Sequence, residues 1–355
     1  MTLEDPCAER ALAGELLHTG GGLDVFLTGQ VFMDMIFTGL PFMPPPGTEL
    51  ITGGLGSAPG GVANIAVAMS RLGLRVGLAA AVGDDLFGAY LWRTLREQEG
   101  VDLRWSRQVT GWPTPVTVSL AYDSDRSMIT YAPPPPIDLA GLVVAPPRAR
   151  TCLVGLDAPI PAWALEMRRN GATVFADVSW DPTEAWSGDV LDRLADVDVF
   201  LPNAVEAMAY TSTATPEDAL EALAPRCRTV VVKCGGRGAI AGEDGVRAAA
   251  PALPVTALDP TGAGDVFAAG FVFGTLAGWP LEQRLRFANL CAGLSVRHYS
   301  GSLGAPCWGE IAAFGETAEV PPETLEEYAF IVPYIPDTDL ATDSVTRAEP
   351  TLRNA

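Results

Sequence analysis

Lysine is nearly missing from this chain: Lys233 is the only one in 355 residues, so arginine carries the rest of the positive charge. A chemistry that needs several lysines is therefore excluded. Histidine is as scarce. His18 and His298 stand far apart, which leaves little material for a histidine dyad or a multi-histidine metal site. The cysteines are Cys7, Cys152, Cys227, Cys234, Cys291 and Cys307, and none forms a C-x-x-C pair. Several lie in apolar runs such as TCLVGL, where buried free thiols are expected, and this suits a reducing cytoplasm. No uncharged apolar stretch reaches the roughly 18 residues of a membrane span. The N-terminus is acidic, broken by Pro6, and unlike a signal peptide. The formal net charge of -20 argues against nucleic acid and anionic membranes as partners.

With 48% hydrophobic residues and 19% charged, the chain can bury a large core. Residues 1–22 read as a short helical extension ending at Gly20-Gly21-Gly22. The run LDVFLTG (23–29) reads as a buried strand, and LRVGLAAAVG (74–83) as another. Asp84 is expected to open a helix that ends near Gly100. GGVANIAVAMSRLG (60–73) reads as a helix stopped by Gly73. TPVTVSLAYDSDRSMITYA (114–132) alternates like a hairpin turning at Asp123 to Arg126. Strands at 151–156, 173–179, 198–203 and 229–235 alternate with helical segments, the pattern of parallel βαβ units. Two long helices are expected near 264–277 and 281–298. The expected fold is one doubly wound α/β domain over 23–318, with a small β excursion from about 35–58 and 110–132. The segment 319–355 is expected to be disordered beyond 336.

The sharpest local signal is Asp259-Pro260-Thr261-Gly262-Ala263-Gly264-Asp265, followed by the apolar run VFAAGFVFGTLAG. The glycines let the backbone turn tightly at the start of a buried helix, where the free amides and the positive end of the dipole form an anion site. Asp265 lies in the same first turn, in a field that favours its ionised form, so it can take a proton from an attacking hydroxyl. An anion cradle and a base within a few residues are what in-line phosphoryl transfer to an alcohol requires.

These residues resemble the second signature of the ribokinase-like, phosphofructokinase-B-type carbohydrate kinases. The resemblance implies an ATP-dependent kinase in which Gly262, Ala263 and Gly264 form the anion hole and Asp265 is the catalytic base. It runs in order from about 23 to 316. Gly60-Gly61-Val62-Ala63-Asn64 is similar to the family's first signature, one residue shorter than the common form. Gly60, Gly61 and Asn64 would then contact the sugar, with Asp34, which follows the first strand, and Asp157. Asn203 and Glu206 resemble the N-x-x-E motif that orders Mg²⁺ through water. Lys233, Gly235, Gly238 and Asn289 align with the nucleotide side. Asp259 and Thr261 correspond to oxygens that hold a monovalent cation such as K⁺ in some relatives. The β excursion becomes a lid over the acceptor, and its Met- and Phe-rich strands imply a homodimer through the lid. ATP and Mg²⁺ are the implied cofactors.

Other readings fit less well. No G-x-x-x-x-G-K-[ST] run is present, and the first strand is followed by Gly29 and then Gln and Val, not by a dinucleotide fingerprint. A nucleoside acceptor stays open, since Phe32, Phe37, Phe42 and Trp112 could stack on a base. A non-catalytic sugar or nucleotide sensor would be expected to have lost Asp265, which is present.

Overall fold

Apolar runs such as DVFL, CLV, VFA and VVV suit strands covered on both faces. In the computed structural model they form the middle of a large sheet. The structure describes residues 21–122, 125–179, 181, 183–298, 301–317 and 325–335. In chain order the strands are β1 (Leu23–Thr28), β2 (Val31–Leu40), β3 (Gly54–Gly61), β4 (Val76–Ala79), β5 (Ala81–Gly83), β6 (Arg107–Val109), β7 (Val116–Tyr122), β8 (Asp125–Tyr131), β9 (Ala149–Gly155), β10 (Thr173–Asp177), β11 (Val199–Phe200), β12 (Thr229–Lys233), β13 (Ala239–Glu243) and β14 (Val246–Ala250). The helices are α1 (Val62–Arg71), α2 (Leu86–Arg93), α3 (Ala162–Arg169), α4 (Asp189–Arg193), α5 (Ala204–Thr211), α6 (Pro216–Leu223), α7 (Ala263–Leu276), α8 (Leu281–Ser295) and α9 (Trp308–Thr317).

The main sheet has the order β14-β13-β12-β11-β10-β9-β1-β4. It is parallel from β12 to β4, with β13 and β14 added antiparallel at one edge. Alternate residues feed two cores. Val25 and Leu27 of β1 pack with α1, α7 and α8, while Phe26 packs on the other face with Trp163 of α3 and Phe200.

A second sheet, ordered β3-β2-β7-β8, stands apart as the lid. Its register puts Asp34 beside Ala58 and Thr117, and Thr117 beside Thr130. Strand alternation therefore places Asp34, Ile36 and Thr38 on one face with Thr117, Ser119 and Ala121, and with Thr130, Met128 and Arg126. The opposite face carries Met35, Phe37, Leu55, Val118, Leu120, Ile129 and Tyr131.

Several sequence expectations change. The run 74–83 is two strands: β4 lies in the main sheet, but at Ala80, whose amide bonds the Ser106 hydroxyl, the chain leaves it and β5 pairs with β6. Asp85, not Asp84, caps α2 by accepting from the Gly88 amide at 2.8 Å, and a π-helical turn (Thr94–Gln98) carries the helix on toward Gly100. The strand expected at 198–203 shrinks to β11. The lid strands extend beyond the expected bounds, back to Val31 and on to Gly61.

Of the helical extension expected over 1–22, residues 1–20 lie outside the described residues, as does the tail expected to be disordered beyond 336. Residues 325–335 pack on the core: Phe330 and Tyr334 meet Trp279 edge-on at 4.8 and 5.1 Å. Cys152, Cys227, Cys234 and Cys291 are free thiols, whereas Cys307 departs from that expectation and is disulfide-bonded. Among the described residues no helix is long and apolar enough to cross a membrane.

Candidate active site

The parallel strands all end at one edge of the sheet, the edge where open α/β sheets bind ligands. Asp177 ends β10, Asn203 follows β11, Lys233 ends β12, and Asp157 follows β9. The glycine turn before α7 faces this edge. Gly262 is the helix N-cap with φ 76°, a left-handed conformation that favours glycine. The Val266 amide makes the first helical bond, to the Gly262 carbonyl at 2.9 Å. The amides of Gly264 and Asp265 therefore precede the intrahelical ladder and point outward, as an anion site needs.

Two elements distant in sequence meet at Asp265. Asn64, in the first turn of α1, donates its side-chain amide to Asp265 Oδ2 at 2.9 Å. From the lid, the Asp34 carboxylate packs onto Gly60, where a Cβ would overlap it. Gly61, with φ 64°, could not carry a Cβ without striking the Gln30 carbonyl. Asp34, Gly60, Gly61, Asn64, Gly262, Ala263, Gly264 and Asp265 thus form one contiguous surface.

Burial pushes the Asp34 carboxyl up to about 7, helped by the like charges of Asp265 and Asp259. Burial also raises Asp265, to about 6. Lys233, the Asn64 bond and Arg126 oppose that rise, while Asp177 adds to it.

On the nucleotide side, Lys233 Nζ pairs with Asp177 Oδ2 at 2.7 Å. Burial alone would lower the lysine, but Asp177, by charge and hydrogen bond, together with the charges of Glu206 and Asp265, more than offsets it and holds Lys233 protonated. A Cβ on Gly264 would lie 3.7 Å from that ammonium, so Lys233 sits beside the anion-hole turn. Asn203 and Glu206 form a reciprocal capping box on α5, with Glu206 N to Asn203 Oδ1 and Asn203 N to Glu206 Oε2 both 2.9 Å. Burial and Asp177 raise Glu206 to about 7.

Two placements differ from the sequence grouping. Asp157 is grouped there with the sugar contacts, but its charge acts on Asp177, Glu206 and Tyr210, and its Oδ1 accepts from the Ser179 amide at 3.2 Å. It belongs to the Glu206 side. Asn289 spends its amide on the carbonyls of Ala250 and Pro251, both at 3.0 Å, and so ties α8 to the end of β14. Gly235 and Gly238, with φ 57° and 93°, shape the turn after β12, and a Cβ at Gly238 would strike the chain at Ala250.

Asp259 accepts from the Thr261 amide at 2.9 Å, and its Oδ2 and the Thr261 hydroxyl are buried without hydrogen-bond partners. Sequence reasoning missed Asp177, although an acid ending a buried strand was available as a signal. It also missed Arg126, whose place on the Asp34 face follows only from the strand register.

The family model for pfkB carbohydrate kinases matches residues 24–135 and 155–307. The chain belongs to this family of kinases. This pfkB chain is 32% identical to an ATP-dependent ribose-1-phosphate kinase of Halopiger xanaduensis, over 73% of its own length and 86% of that protein. It is 31% identical to a nucleoside kinase of Methanothermobacter thermautotrophicus, over 81% and 94%. Among solved structures, Arabidopsis thaliana ribokinase complexed with ribose and ATP superposes with a TM-score of 0.65 at 23% identity, covering 80% of this chain and 96% of that one. The family, the ATP-dependent carbohydrate kinase class and the ribokinase-like α/β fold with its separate lid are as the sequence implied.

Proposed function

We propose that the protein transfers the terminal phosphoryl group of ATP to a hydroxyl of a sugar-like acceptor, with Asp265 as general base. The Asn64–Asp265 bond carries this reading, because it joins the acceptor-side helix to the anion-hole turn within one hydrogen bond. Asp34 and Asn64 orient the acceptor. Asp265 takes the hydroxyl proton as the acceptor oxygen bonds to phosphorus, and the bond from phosphorus to the bridging oxygen breaks with its electron pair going to ADP. The Gly264 and Asp265 amides and Lys233 face the phosphoryl oxygens as charge builds on them. Asp265, raised to about 6, is mostly ionised near pH 7 and still basic enough to accept a proton.

Glu206, raised and buried at the same edge, fits a water-mediated site for Mg²⁺ with Asn203, and bound Mg²⁺ would neutralise phosphate charge there. The orphaned Asp259 Oδ2 and Thr261 hydroxyl fit a monovalent cation held by oxygens. The outer lid face, with Ile129 and Tyr131 65% and 58% exposed, is where a second copy would pair, which light scattering checks.

A nucleoside acceptor is the second reading, favoured by the likeness to a nucleoside kinase. Phe37 lies on the lid face away from Asp34, whereas Phe32 shares the face that bears Asp34. An ADP-release screen across pentoses, hexoses, keto-deoxy sugar acids, sugar phosphates and nucleosides separates the two. In the same assay Asp265→Asn keeps ATP binding and loses about 10²–10⁴-fold in kcat. Near-normal turnover of that variant would refute Asp265 as base, and no ADP release with any acceptor would overturn the kinase reading.

A further inference from the structure

The lid brings a cation over the cleft. Arg126 is the second described residue of β8, and it pairs with Ala121 of β7. Ala121 lies two residues beyond Ser119, which pairs with Ile36 of β2, itself two residues beyond Asp34. Each step keeps the same face, so Arg126 projects from the surface that bears Asp34.

Its position on that surface is specific. The charges that bear on Asp34 are those of Asp265 and Asp259. Arg126 instead bears on Asp265, as an attraction that favours its ionised form. The guanidinium thus shares the Asp34 face of the lid and its charge reaches Asp265. On the sheet side of Asp265 stand the Gly262–Gly264 turn and, beside Gly264, Lys233.

We propose that Arg126 is a further catalytic residue, carried on the lid, whose guanidinium meets the oxygens of the phosphoryl group during transfer. The inference rests on the kinase reading above, in which the oxygen whose proton Asp265 takes is the one that bonds to phosphorus. Charge on the transferring group is spread over three oxygens. The backbone cradle and Lys233 cannot surround all three from the sheet side. A planar guanidinium with five fixed donors suits the open side better than a lysine would. Delivering it on the lid places it there only when the acceptor is covered, so water gains less from it.

A purely structural role, in which Arg126 only balances Asp265, makes different predictions. The test uses the full chain with an acceptor found in the screen. Arg126→Ala is expected to lower kcat by about 10²–10³-fold while the acceptor KM stays within about threefold. Arg126→Lys should recover part of the loss, and added guanidinium chloride at millimolar levels should partly rescue Arg126→Ala. Binding of ADP with aluminium fluoride, read by calorimetry, should weaken in Arg126→Ala while ATP binding holds.

A kcat within about threefold of the parent overturns the proposal. So does a loss confined to the KM of acceptors bearing phosphate or carboxylate, which would make Arg126 an acceptor contact. Both results leave the kinase reading standing. If the unaltered protein releases no ADP with any acceptor and does not bind ADP with aluminium fluoride, the kinase reading itself falls and this proposal falls with it.

Discussion

Asp265 works under opposing pressures. Burial raises it, and Lys233, 56 residues after the Asp177 that holds it, pulls it back. Because only the ionised form accepts a proton, kcat is expected to fall about tenfold per pH unit below about 6. Lys233→Met removes a positive charge that favours the carboxylate, so the acid limb of kcat should move to higher pH. An unmoved limb in a pH–rate series would show that the limb belongs to another group. The glycine–acid run around Asp265 was legible in the sequence because it is local: turn, helix start and carboxylate lie within seven residues. Asn64, three residues after Gly61, and Asp34, five after Gly29, were picked out because those spacings resemble the family's patterns. The Lys233–Asp177 pair was not, since neither residue has a neighbour in sequence that betrays the other.

At the level of elements, α1 acts as a strut. Asn64 lies in its first turn, and Arg71, two turns on, ends it. Arg71 is buried and bonds Glu99 at 2.8 and 3.0 Å and the carbonyls of Leu303 and Ala305 at 2.9 and 3.0 Å. The same loop anchors to the lid, where the Ser302 hydroxyl donates to the Pro59 carbonyl at 2.5 Å. Gly301 in that loop lies beside Asn64 and Thr261. The helix thus ties Asn64 to the loop beside Thr261. Arg71→Met leaves Glu99 buried without its main partner and is expected to cost about 3–5 kcal/mol in urea unfolding. Adding Glu99→Leu should return part of that, though not all, because the Leu303 and Ala305 carbonyls still lose their Arg71 donor. A double variant no more stable than Arg71→Met would mean that the carbonyl bonds, and not the ion pair, dominate. The helices α7 and α8 and the lid hairpin could be read from period and turn residues, but Asp125 and Arg126, expected in the turn, already pair with Tyr122 and Ala121 in β8. The break at Ala80 could not, because LRVGLAAAVG is apolar from Val76 onward and only the pairing of β5 with β6 divides it.

The whole molecule gathers raised acids at one edge. Asp34 and Glu206 stand near 7 and Asp265 near 6, each pushed up first by burial. In the unfolded chain these carboxyls would lose their protons near pH 4. Between about 4 and 7 the folded protein therefore holds protons that the unfolded chain has released. Stability should fall as pH rises through that window, which is the cost of keeping the site ready for ligand. The formal net charge of -20 acts in the same direction, so a falling Tm alone does not single out the site. Asp34→Asn does, because it removes a buried carboxylate and changes the net charge by only one. The ligand-free variant should melt above the parent at pH 8, with about a third of that gain remaining at pH 5. Since a tenfold change in proton affinity is worth roughly 1.4 kcal/mol, the gain at pH 8 is a few kcal/mol at most. The same melts in K⁺ and in choline chloride test the Asp259–Thr261 oxygens, since a held cation raises Tm only in K⁺. If the parent melts higher at pH 8 than at pH 5, and Asp34→Asn shows no gain, the carboxyls at this edge are not raised. The charge balance assigned to Asp265 would then be wrong at its source.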